Sequence, residues 1–269
     1  MSEVLLTGAT SGLGRWLAPR LGAAGLTVLL HGRDPRKVER GVAEVEAAGG
    51  VAEGFVADLA DLADVDRLAA AVRDRPLTVL VNNAGVGFGT RDGAREVSAD
   101  GYELRWAVNL LAPVRLTEAL LPTLRANAPA RIVNVGSLGQ APIDFADLQL
   151  ERHYDGVTAY RRAKLALAAW TFDLAEELAG TGVTANCLHP ATFMDTGMVR
   201  QYGQRPFSTV EQGGRATLRL ALSEPRTGLF FDGERPAEPH PDAKDPAVRA
   251  RLRALLQQPM RLRDASRPA

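Results

Sequence analysis

The amino-acid sequence predicts an α/β fold, a single domain in which a parallel sheet is covered by helices on both faces. Short apolar segments alternate with longer amphipathic ones along most of the 269-residue chain, as in sheets that are buried on both sides. The first apolar segment also ends in a glycine-rich turn that opens a helical segment. With 46% hydrophobic and 24% charged residues, the chain has a globular composition and is long enough to bury one large core.

The first strands and helices follow directly from this pattern. Residues 3–8 and 26–32 are mostly apolar runs that end in glycine, which predicts two strands. Residues 13–25 and 34–49 have helical periodicity, and Pro35 suits the first turn of the second helix because no backbone N–H is needed there. The chain therefore opens with a βαβ unit.

The middle of the chain continues the alternation. Residues 51–59 and 77–85 predict the third and fourth strands, with a helix at 64–75 between them. Residues 100–125 predict a long amphipathic helix. We expect a bend at Pro113 in this helix, because proline removes a backbone donor from a helix interior.

The last strands flank another long helix. Residues 130–137 and 183–190 predict the fifth and sixth strands, and 159–180 predict the helix between them. Near its end the chain is rich in proline, aspartate and arginine, and 246–258 is its one helical segment. No internal repeat or low-complexity linker interrupts the pattern.

Charge and cysteine content exclude several classes of function. The 32 basic and 32 acidic residues give a formal net charge of zero, so neither nucleic acid nor an anionic membrane is expected as the main partner. The single cysteine, Cys187, cannot form an internal disulfide, and the four histidines lack the spacing of metal ligands, so no metal site is predicted.

No apolar run approaches the roughly 18 residues of a membrane span, and the first residues do not resemble a signal peptide. We expect a soluble, cytoplasmic protein.

The first strand–helix junction carries the glycine motif TGATSGLG. Gly8 permits a tight turn after the strand, while Gly12 and Gly14 let the backbone approach a pyrophosphate and let the helix start close to the sheet. The N–H groups at the start of that helix favour a phosphate. Glycines alone would indicate only a sharp turn, but this turn joins a strand to a helix in a βαβ unit, which predicts nucleotide binding. The predicted contacts in this loop are Gly8, Thr10, Ser11, Gly12, Leu13 and Gly14.

The end of the second strand bears on the choice of cofactor. An acidic residue about 20 positions after the glycines would bind the ribose hydroxyl of NAD, whereas an arginine would accept the 2′-phosphate of NADP. Arg33 stands in this place and favours NADP(H) over NAD(H), with Arg15 and Arg36 as further positive charges. Asp34 could itself reach a ribose or pair with a neighbour, and Arg33 could be an ordinary surface residue.

The segment YRRAK contains a candidate proton-transfer pair. Tyr160 and Lys164 are four residues apart on a predicted helix and therefore share one face, while Arg161 and Arg162 point elsewhere. A nearby cation lowers the pKa of a tyrosine, which suits it to proton transfer near neutral pH. In isolation, such a pair would more often be an ordinary helix surface.

Seven motifs, taken in order, resemble those of the short-chain dehydrogenase/reductase family. They are TGATSGLG, ADL at 57–59, NNAG at 82–85, Asn109, Ser137, YRRAK and HPATFMDT at 189–196. The similarity covers essentially the whole chain. The segment DFADLQLE at 144–151 and the sequence from 209 onward are similar to the retinol-dehydrogenase-like branch.

The resemblance implies a doubly wound Rossmann sheet of about seven strands, with 227–233 supplying the last strand. It implies reversible hydride transfer between a carbonyl and an alcohol on a small molecule, here expected to be lipophilic or similar to a secondary metabolite. It also implies a possible homodimer or homotetramer. The expected catalytic domain is 1–235, with a substrate lid at 193–212, followed by a tail at 236–269 whose helix packs on the domain or trails from it.

The resemblance also assigns roles to site residues. Tyr160 is the acid or base, Lys164 serves both the tyrosine and the nicotinamide ribose, and Ser137 donates a hydrogen bond to the substrate oxygen. Asn109 holds a water that connects Lys164 to solvent. Further cofactor contacts are expected from Asp58, Leu59, Asn83, Ala84, Gly85, Pro190 and Thr192. Two alternatives remain open: a catalytically idle dinucleotide-binding protein, and a relative that uses NAD for dehydration or epimerisation.

Some positions depart from the family pattern. Gly136 replaces a common serine, and the separation between Ser137 and Tyr160 is longer than usual. We expect the additional residues, within 140–155, to form one wall of the substrate pocket. Tyr154 in this segment could contact substrate or lie in a solvated loop.

Overall fold

The computed structural model describes residues 2–90 and 93–258. Within these residues, eight strands form one sheet in the order β3-β2-β1-β4-β5-β6-β7-β8. All neighbouring strands are parallel except β7 and β8, which are antiparallel. The strands are β1 (Glu3–Leu6), β2 (Thr27–Gly32), β3 (Val51–Val56), β4 (Leu77–Asn82), β5 (Ala130–Val135), β6 (Val183–His189), β7 (Phe230–Asp232) and β8 (Arg235–Ala237).

Helices connect the strands and cover both faces of the sheet. They are α1 (Gly12–Ala23), α2 (Pro35–Ala47), α3 (Leu62–Val72), α4 (Leu104–Trp106), α5 (Ala112–Ala126), α6 (Gly156–Glu177), α7 (Gly197–Gln201), α8 (Val210–Leu222) and α9 (Pro246–Leu256). The predicted α/β class and single doubly wound domain are confirmed, and each of the six predicted strands is present within its predicted range.

The sheet divides the core into two layers because successive strand residues point to opposite faces. In β1, for example, Leu5 belongs to the cluster that packs against α3, α5 and α6, whereas Val4 and Leu6 belong to the cluster that packs against α1, α2 and α8. All three side chains are fully buried. Because both faces of the sheet are buried, its strands need continuous apolar runs rather than alternating apolar and polar residues.

The carboxyl end of the sheet contains a crevice where strand order reverses. β1 lies between β2 and β4, so the chain leaves β1 toward one edge of the sheet and later returns to build toward the other. Ligands of doubly wound sheets bind at this switch point. The glycine loop follows β1, and the NNAG segment continues from the end of β4, so both predicted motifs lie beside the crevice.

The short strand β8 was not predicted. It pairs with β7 through Phe231 and Pro236 at the edge of the sheet, after a turn at Gly233. Three residues that include a proline give no apolar run, so the sequence pattern had no strand signal here. Beyond it, α9 packs on α6, where Asp173 accepts hydrogen bonds from Arg249 and Arg253. Residues 259–269 of the predicted tail lie outside the described residues.

The helix predicted at 100–125 is interrupted ahead of the expected bend. A π-helical turn at Ala107–Leu111 separates α4 from α5, and Pro113 lies in the first turn of α5. The irregular turn thus ends two residues before Pro113, where the bend is predicted. Pro113 has no N–H to donate to the main-chain carbonyl of Asn109, four residues earlier, and Asn109 lies within the irregular turn.

Candidate active site

The glycine loop after β1 is held by hydrogen bonds between main-chain groups and side chains of neighbouring strand ends. Gly8 has φ +64°, and a Cβ there would lie 2.8 Å from the Cα of Ala84, so both its conformation and its close approach require glycine. The Gly8 N–H donates to His31 Nδ1 at 3.2 Å. The Thr7 hydroxyl accepts from the N–H groups of Asn83 and Ala84, both at 3.0 Å. The loop and the end of β4 form one rigid unit.

The asparagines of NNAG support this unit. The Asn83 amide donates to the carbonyls of Thr7 at 2.8 Å and Gly8 at 3.1 Å. Asn82 is buried and donates to Asn134 on β5 at 2.8 Å, and Asn134 donates to Thr171 on α6 at 2.9 Å. NNAG therefore has a structural role, and the side-chain amide nitrogens of both asparagines donate to protein partners.

Arg33 lies exposed at the end of β2 and makes no hydrogen bond or ion pair with the described part of the chain. Asp34, by contrast, caps α2, where its carboxylate accepts from the N–H groups of Arg36 at 2.9 Å and Lys37 at 3.3 Å. Arg15 is bound through two nitrogens to Glu44. Of the charges considered at the sequence level, Arg33 and Arg36 are thus the exposed ones whose side chains have no partner in the described part of the chain.

The segment predicted to receive adenine follows β3. Asp58 is partly buried, and its carboxylate accepts from the Ala60 N–H at 3.0 Å. His31, which the sequence analysis did not select, connects this segment to the glycine loop, because its Nε2 donates to the Ala57 carbonyl at 3.0 Å while Nδ1 accepts from Gly8. Burial lowers the pKa of His31, so the ring stays neutral and carries its one proton on Nε2.

Tyr160 and Lys164 lie one turn apart on α6, with Lys164 Nζ 5.8 Å from the centre of the Tyr160 ring. Lys164 is buried and donates to the Val135 carbonyl at 2.7 Å, but it forms no ion pair with any described carboxylate. Burial lowers its pKa to about 8. The Lys164 amine is still mostly protonated at neutral pH, and its remaining N–H groups can donate to a further partner.

Ser137 follows β5 and lies beside Tyr160. A Cβ on Gly139 would lie 3.2 Å from Ser137 Oγ and 4.0 Å from Tyr160 Cε1, so this glycine fits between the two side chains. The Gly139 N–H donates to Ser137 Oγ at 2.9 Å, which leaves the hydroxyl proton available for another acceptor. The lowered pKa expected for Tyr160 beside Lys164 is not found, because burial raises the pKa of Tyr160 and only the Ser137 hydroxyl opposes that increase.

Asn109 is fully buried in the π-helical turn, and its side chain is occupied. It accepts from the Val86 N–H at 2.9 Å and donates to the Val86 carbonyl at 3.0 Å. A Cβ on Gly85 would lie 3.0 Å from Asn109 Oδ1 and 3.8 Å from Lys164 Nζ. Gly85 thus lets Asn109 approach Lys164, and the four predicted catalytic residues surround one cleft.

The predicted lid, 193–212, contacts both sides of this cleft. A Cβ on Gly12 of the glycine loop would lie 3.1 Å from Thr196 Cγ2, and Met198 packs against Gly87. At the base of the lid, Thr192 Oγ1 lies 3.0 Å from His189 Nε2. Pro190 borders the start of α8 next to Gly213. The lid therefore spans the predicted cofactor and substrate sides.

The sequence model of the short chain dehydrogenase family matches residues 2–206. The protein belongs to this family. Retinol dehydrogenase 13 from Mus musculus is 33% identical over 273 residues, which cover 93% of this chain and 80% of that protein. The predicted resemblance to the retinol-dehydrogenase-like branch is confirmed.

Solved structures agree with this family assignment. An uncharacterised protein from Mycobacterium paratuberculosis shares 31% identity and a TM-score of 0.80, covering 96% of this chain and 92% of that one. A protein described as an NAD(P)-dependent gluconate 5-dehydrogenase from Beutenbergia cavernae, with NADP bound at low occupancy, shares 29% identity and a TM-score of 0.69, covering 87% and 95%.

One departure of this chain from the family pattern has a packing cause. A Cβ on Gly136 would lie 2.5 Å from Cys187 Sγ on β6, so the thiol occupies the space that a serine at 136 would need. Cys187 is fully buried, and burial raises its pKa to about 12. The thiol is therefore a packing group rather than a nucleophile.

The segment 140–155 is joined to the rest of the protein by side-chain hydrogen bonds. Arg162 donates to the Asp147 carbonyl at 3.2 Å, so one of the two arginines of YRRAK anchors this segment. Tyr154 donates to the buried carboxylate of Glu103 at 3.1 Å, a protein contact that neither of the two alternatives considered for this residue included. Glu103 had no sequence signal, because a single acidic residue in a loop is usually solvated.

No group of three or more described His, Cys, Asp or Glu residues is arranged to hold a metal ion, and no described helix combines the length and apolarity of a membrane span. The crevice does fit a dinucleotide. It combines the glycine cradle at Gly8, the exposed Arg33 and the unpaired ammonium of Lys164 at the switch point of the sheet.

Proposed function

We propose that the protein is an NADP(H)-dependent oxidoreductase that interconverts a carbonyl and an alcohol on a lipophilic small molecule. The observation that carries this proposal is the arrangement of Tyr160 and Lys164 one turn apart on α6, with Ser137 beside the tyrosine. A set with a proton donor, a neighbouring cation and a hydroxyl donor is what carbonyl reduction requires.

The nicotinamide cofactor, when bound, supplies or accepts the hydride. The proposed contacts from this chain are the glycine loop, Arg33 for a 2′-phosphate, Asp58 and Leu59 for adenine, and the residues of NNAG with Pro190 and Thr192. NADP is favoured over NAD because the Asp34 carboxylate is occupied in capping α2. Arg33 is then the exposed group at the end of β2, where the two cofactors are distinguished. The NADP reported for the Beutenbergia cavernae protein is consistent with this choice.

The protein side of the reaction is a proton transfer. Ser137 accepts from Gly139 and so has its own proton free to donate to the substrate oxygen. Tyr160 is held protonated by its surroundings, which raise its pKa, and it donates its proton as negative charge develops on that oxygen. Lys164 stabilises the phenolate that remains, and the Asn109 carbonyl, which Pro113 cannot satisfy, is the proposed anchor for the water that restores the proton.

A lipophilic substrate is favoured by the surroundings of Tyr160. Phe88 contacts the Tyr160 ring edge-on, and Tyr202 contacts Phe88 in the same way. In the lid, Phe193 and Phe207 contact each other edge-on with ring centres 5.6 Å apart. The retinol dehydrogenases among the relatives act, by name, on a lipophilic alcohol, and the same substrate class is proposed here.

The test is NADPH oxidation by the purified protein with a panel of lipophilic aldehydes and ketones. Replacing Tyr160 with Phe removes the proton donor and should lower kcat by about 10²–10⁴-fold while NADPH binding is retained. Tyr102→Phe, outside the cleft, is the matched control. If the wild type binds NADPH, turns over no carbonyl or alcohol, and Tyr160→Phe behaves identically, the idle dinucleotide-binding alternative replaces this proposal.

A further inference from the structure

An aromatic side chain that neither the sequence motifs nor the proposed reaction uses stands directly against Tyr160. The Phe88 ring contacts the Tyr160 ring edge-on, with ring centres 4.7 Å apart and planes at 79°. Its other side contacts Tyr202, which follows lid helix α7, with ring centres 4.8 Å apart and planes at 71°. Phe88 is thus the middle ring of three that connect the proposed acid to the lid.

The backbone that carries Phe88 is fixed from two directions. The Gly87 carbonyl accepts from Arg105 Nε at 3.0 Å. A side chain on Gly156, at the start of α6, would collide with the Phe88 carbonyl. Gly89 has φ +82°, and a Cβ there would lie 2.6 Å from Arg105 Nη2, so the guanidinium fills the space under the loop. The Phe88 ring therefore has a defined position.

Arg105 is itself held by a polar cluster. Only 3% of its side chain is exposed, and it pairs with Glu96 at 2.8 Å and with the buried Glu103 at 3.4 Å. Glu103 also accepts from the Trp106 N–H at 2.8 Å and from the Tyr154 hydroxyl at 3.1 Å. A buried arginine with these partners specifies one position for the loop above it.

We propose that Phe88 is the residue that limits substrate bulk beside the reacting carbonyl, and that Arg105 is the positioning residue that holds it there. The assignment rests on the proposed function. An edge-on ring at van der Waals distance from Tyr160 leaves no room for a second aromatic group between the two rings. A substrate can bring its oxygen to the Tyr160 hydroxyl only with its substituents turned away from Phe88. Contact with Tyr202 couples the same ring to lid closure.

The first test compares octanal with 1-naphthaldehyde as substrates of the intact protein with NADPH. Phe88→Ala should raise the ratio of kcat/KM for 1-naphthaldehyde to that for octanal by about tenfold or more, and Phe88→Leu should raise it less. Phe55→Leu, a half-buried phenylalanine on β3, is the matched control and should leave the ratio unchanged. An unchanged or reduced ratio in Phe88→Ala overturns the assignment.

The second test separates positioning from stability. Arg105→Met should change the ratio in the same direction as Phe88→Ala, and the double variant should show no further change, because both act through one ring. Arg105→Lys should recover part of the wild-type preference. Glu96→Gln, at a more exposed partner, should give a smaller change without the risk of misfolding. Additive effects, or a loss of NADPH binding equal to the loss of discrimination, would overturn the role of Arg105.

A third readout does not depend on turnover. Arg200 in the lid is exposed and is followed by Gln201, so its peptide bond is a cleavage site for trypsin. Phe88→Ala and Arg105→Met should speed cleavage after Arg200 relative to the wild type and to Phe55→Leu, because the lid loses its contact through Tyr202. Equal cleavage rates would refute the coupling to the lid even in a protein that reduces neither aldehyde. An inactive wild type with faster cleavage in the variants would refute the proposed function alone.

Discussion

The two sides of the cleft are built from different kinds of contact. On the cofactor side, short uncharged side chains at strand ends bind the neighbouring main chain: His31 accepts from Gly8, Thr7 accepts from Asn83, and Gly8 approaches Ala84 closely. On the substrate side, charged side chains hold the loops: Arg105 donates to Gly87, Glu103 accepts from Tyr154, and Arg162 donates to Asp147.

This difference has a functional consequence. Contacts between the ends of adjacent strands are positioned by the sheet itself, so the cofactor side can remain constant while the sequence around it changes. Side-chain contacts between loops can be exchanged singly, so substrate preference can change without loss of the cofactor site. Each of the following predictions tests whether the two sides are separable in this way.

Lys164 lies between the two sides, and its replacement should have the largest effect. Lys164→Met should lower kcat by about 10²–10⁴-fold and at the same time stabilise the protein. Lowering the Lys164 pKa from 10.5 to about 8 means that the buried charge destabilises the fold by roughly 3 kcal/mol. That penalty is present below about pH 8 and disappears as the pH rises toward 10.5.

Thermal unfolding at neutral pH should accordingly show a Tm higher by several degrees in Lys164→Met. Near pH 10 the difference should shrink, because the wild-type lysine is then neutral in the folded state. A variant that is less stable than the wild type at neutral pH would show that the hydrogen bond to Val135 outweighs the cost of the buried charge.

Arg33 tests the cofactor side alone. Arg33→Ala should weaken NADPH binding by about 10–100-fold, the value of a charge-assisted hydrogen bond to phosphate, and should leave NADH binding unchanged. Titration of the two cofactors against the free protein measures this directly. Arg40→Ala, an exposed residue on α2, is the control. Equal weakening of NADH and NADPH would remove the assignment of Arg33 to the 2′-phosphate.

Arg162 tests the substrate side alone. Arg162→Met releases the main chain at Asp147 and should raise KM for a lipophilic aldehyde about three- to tenfold, the equivalent of one net hydrogen bond, with NADPH affinity preserved. Arg161→Met, at the exposed neighbour in the same motif, should change neither value. A parallel loss of NADPH affinity in Arg162→Met would mean that the two sides are not separable.

The smallest expected effect is the acid sensitivity of the cofactor side. Burial lowers the pKa values of His31 and His189, so below about pH 6.5 the unfolded chain binds more protons than the folded one and stability falls. In His31→Asn the Tm should be lower than in the wild type near neutral pH, and the difference should narrow as the pH falls toward about 5.5. Parallel Tm profiles would exclude His31 as a source of the acid sensitivity.

The sequence by itself determined the alternation of strands and helices, the glycine loop and the pair Tyr160 and Lys164. These are local features: apolar runs, φ > 0 at Gly8, and helical spacing each act within a few residues. The resemblance to a known family added Ser137, Asn109 and the NNAG segment, whose positions no short-range pattern in the chain would have identified.

Tertiary structure alone decided the rest. Gly136 is small because Cys187 on another strand fills its space. Phe88 reaches Tyr160 because Arg105 holds the loop that carries it. Such contacts join residues far apart in the chain, and burial strengthens them. Neither the spacing of residues nor the composition of the chain can therefore predict them.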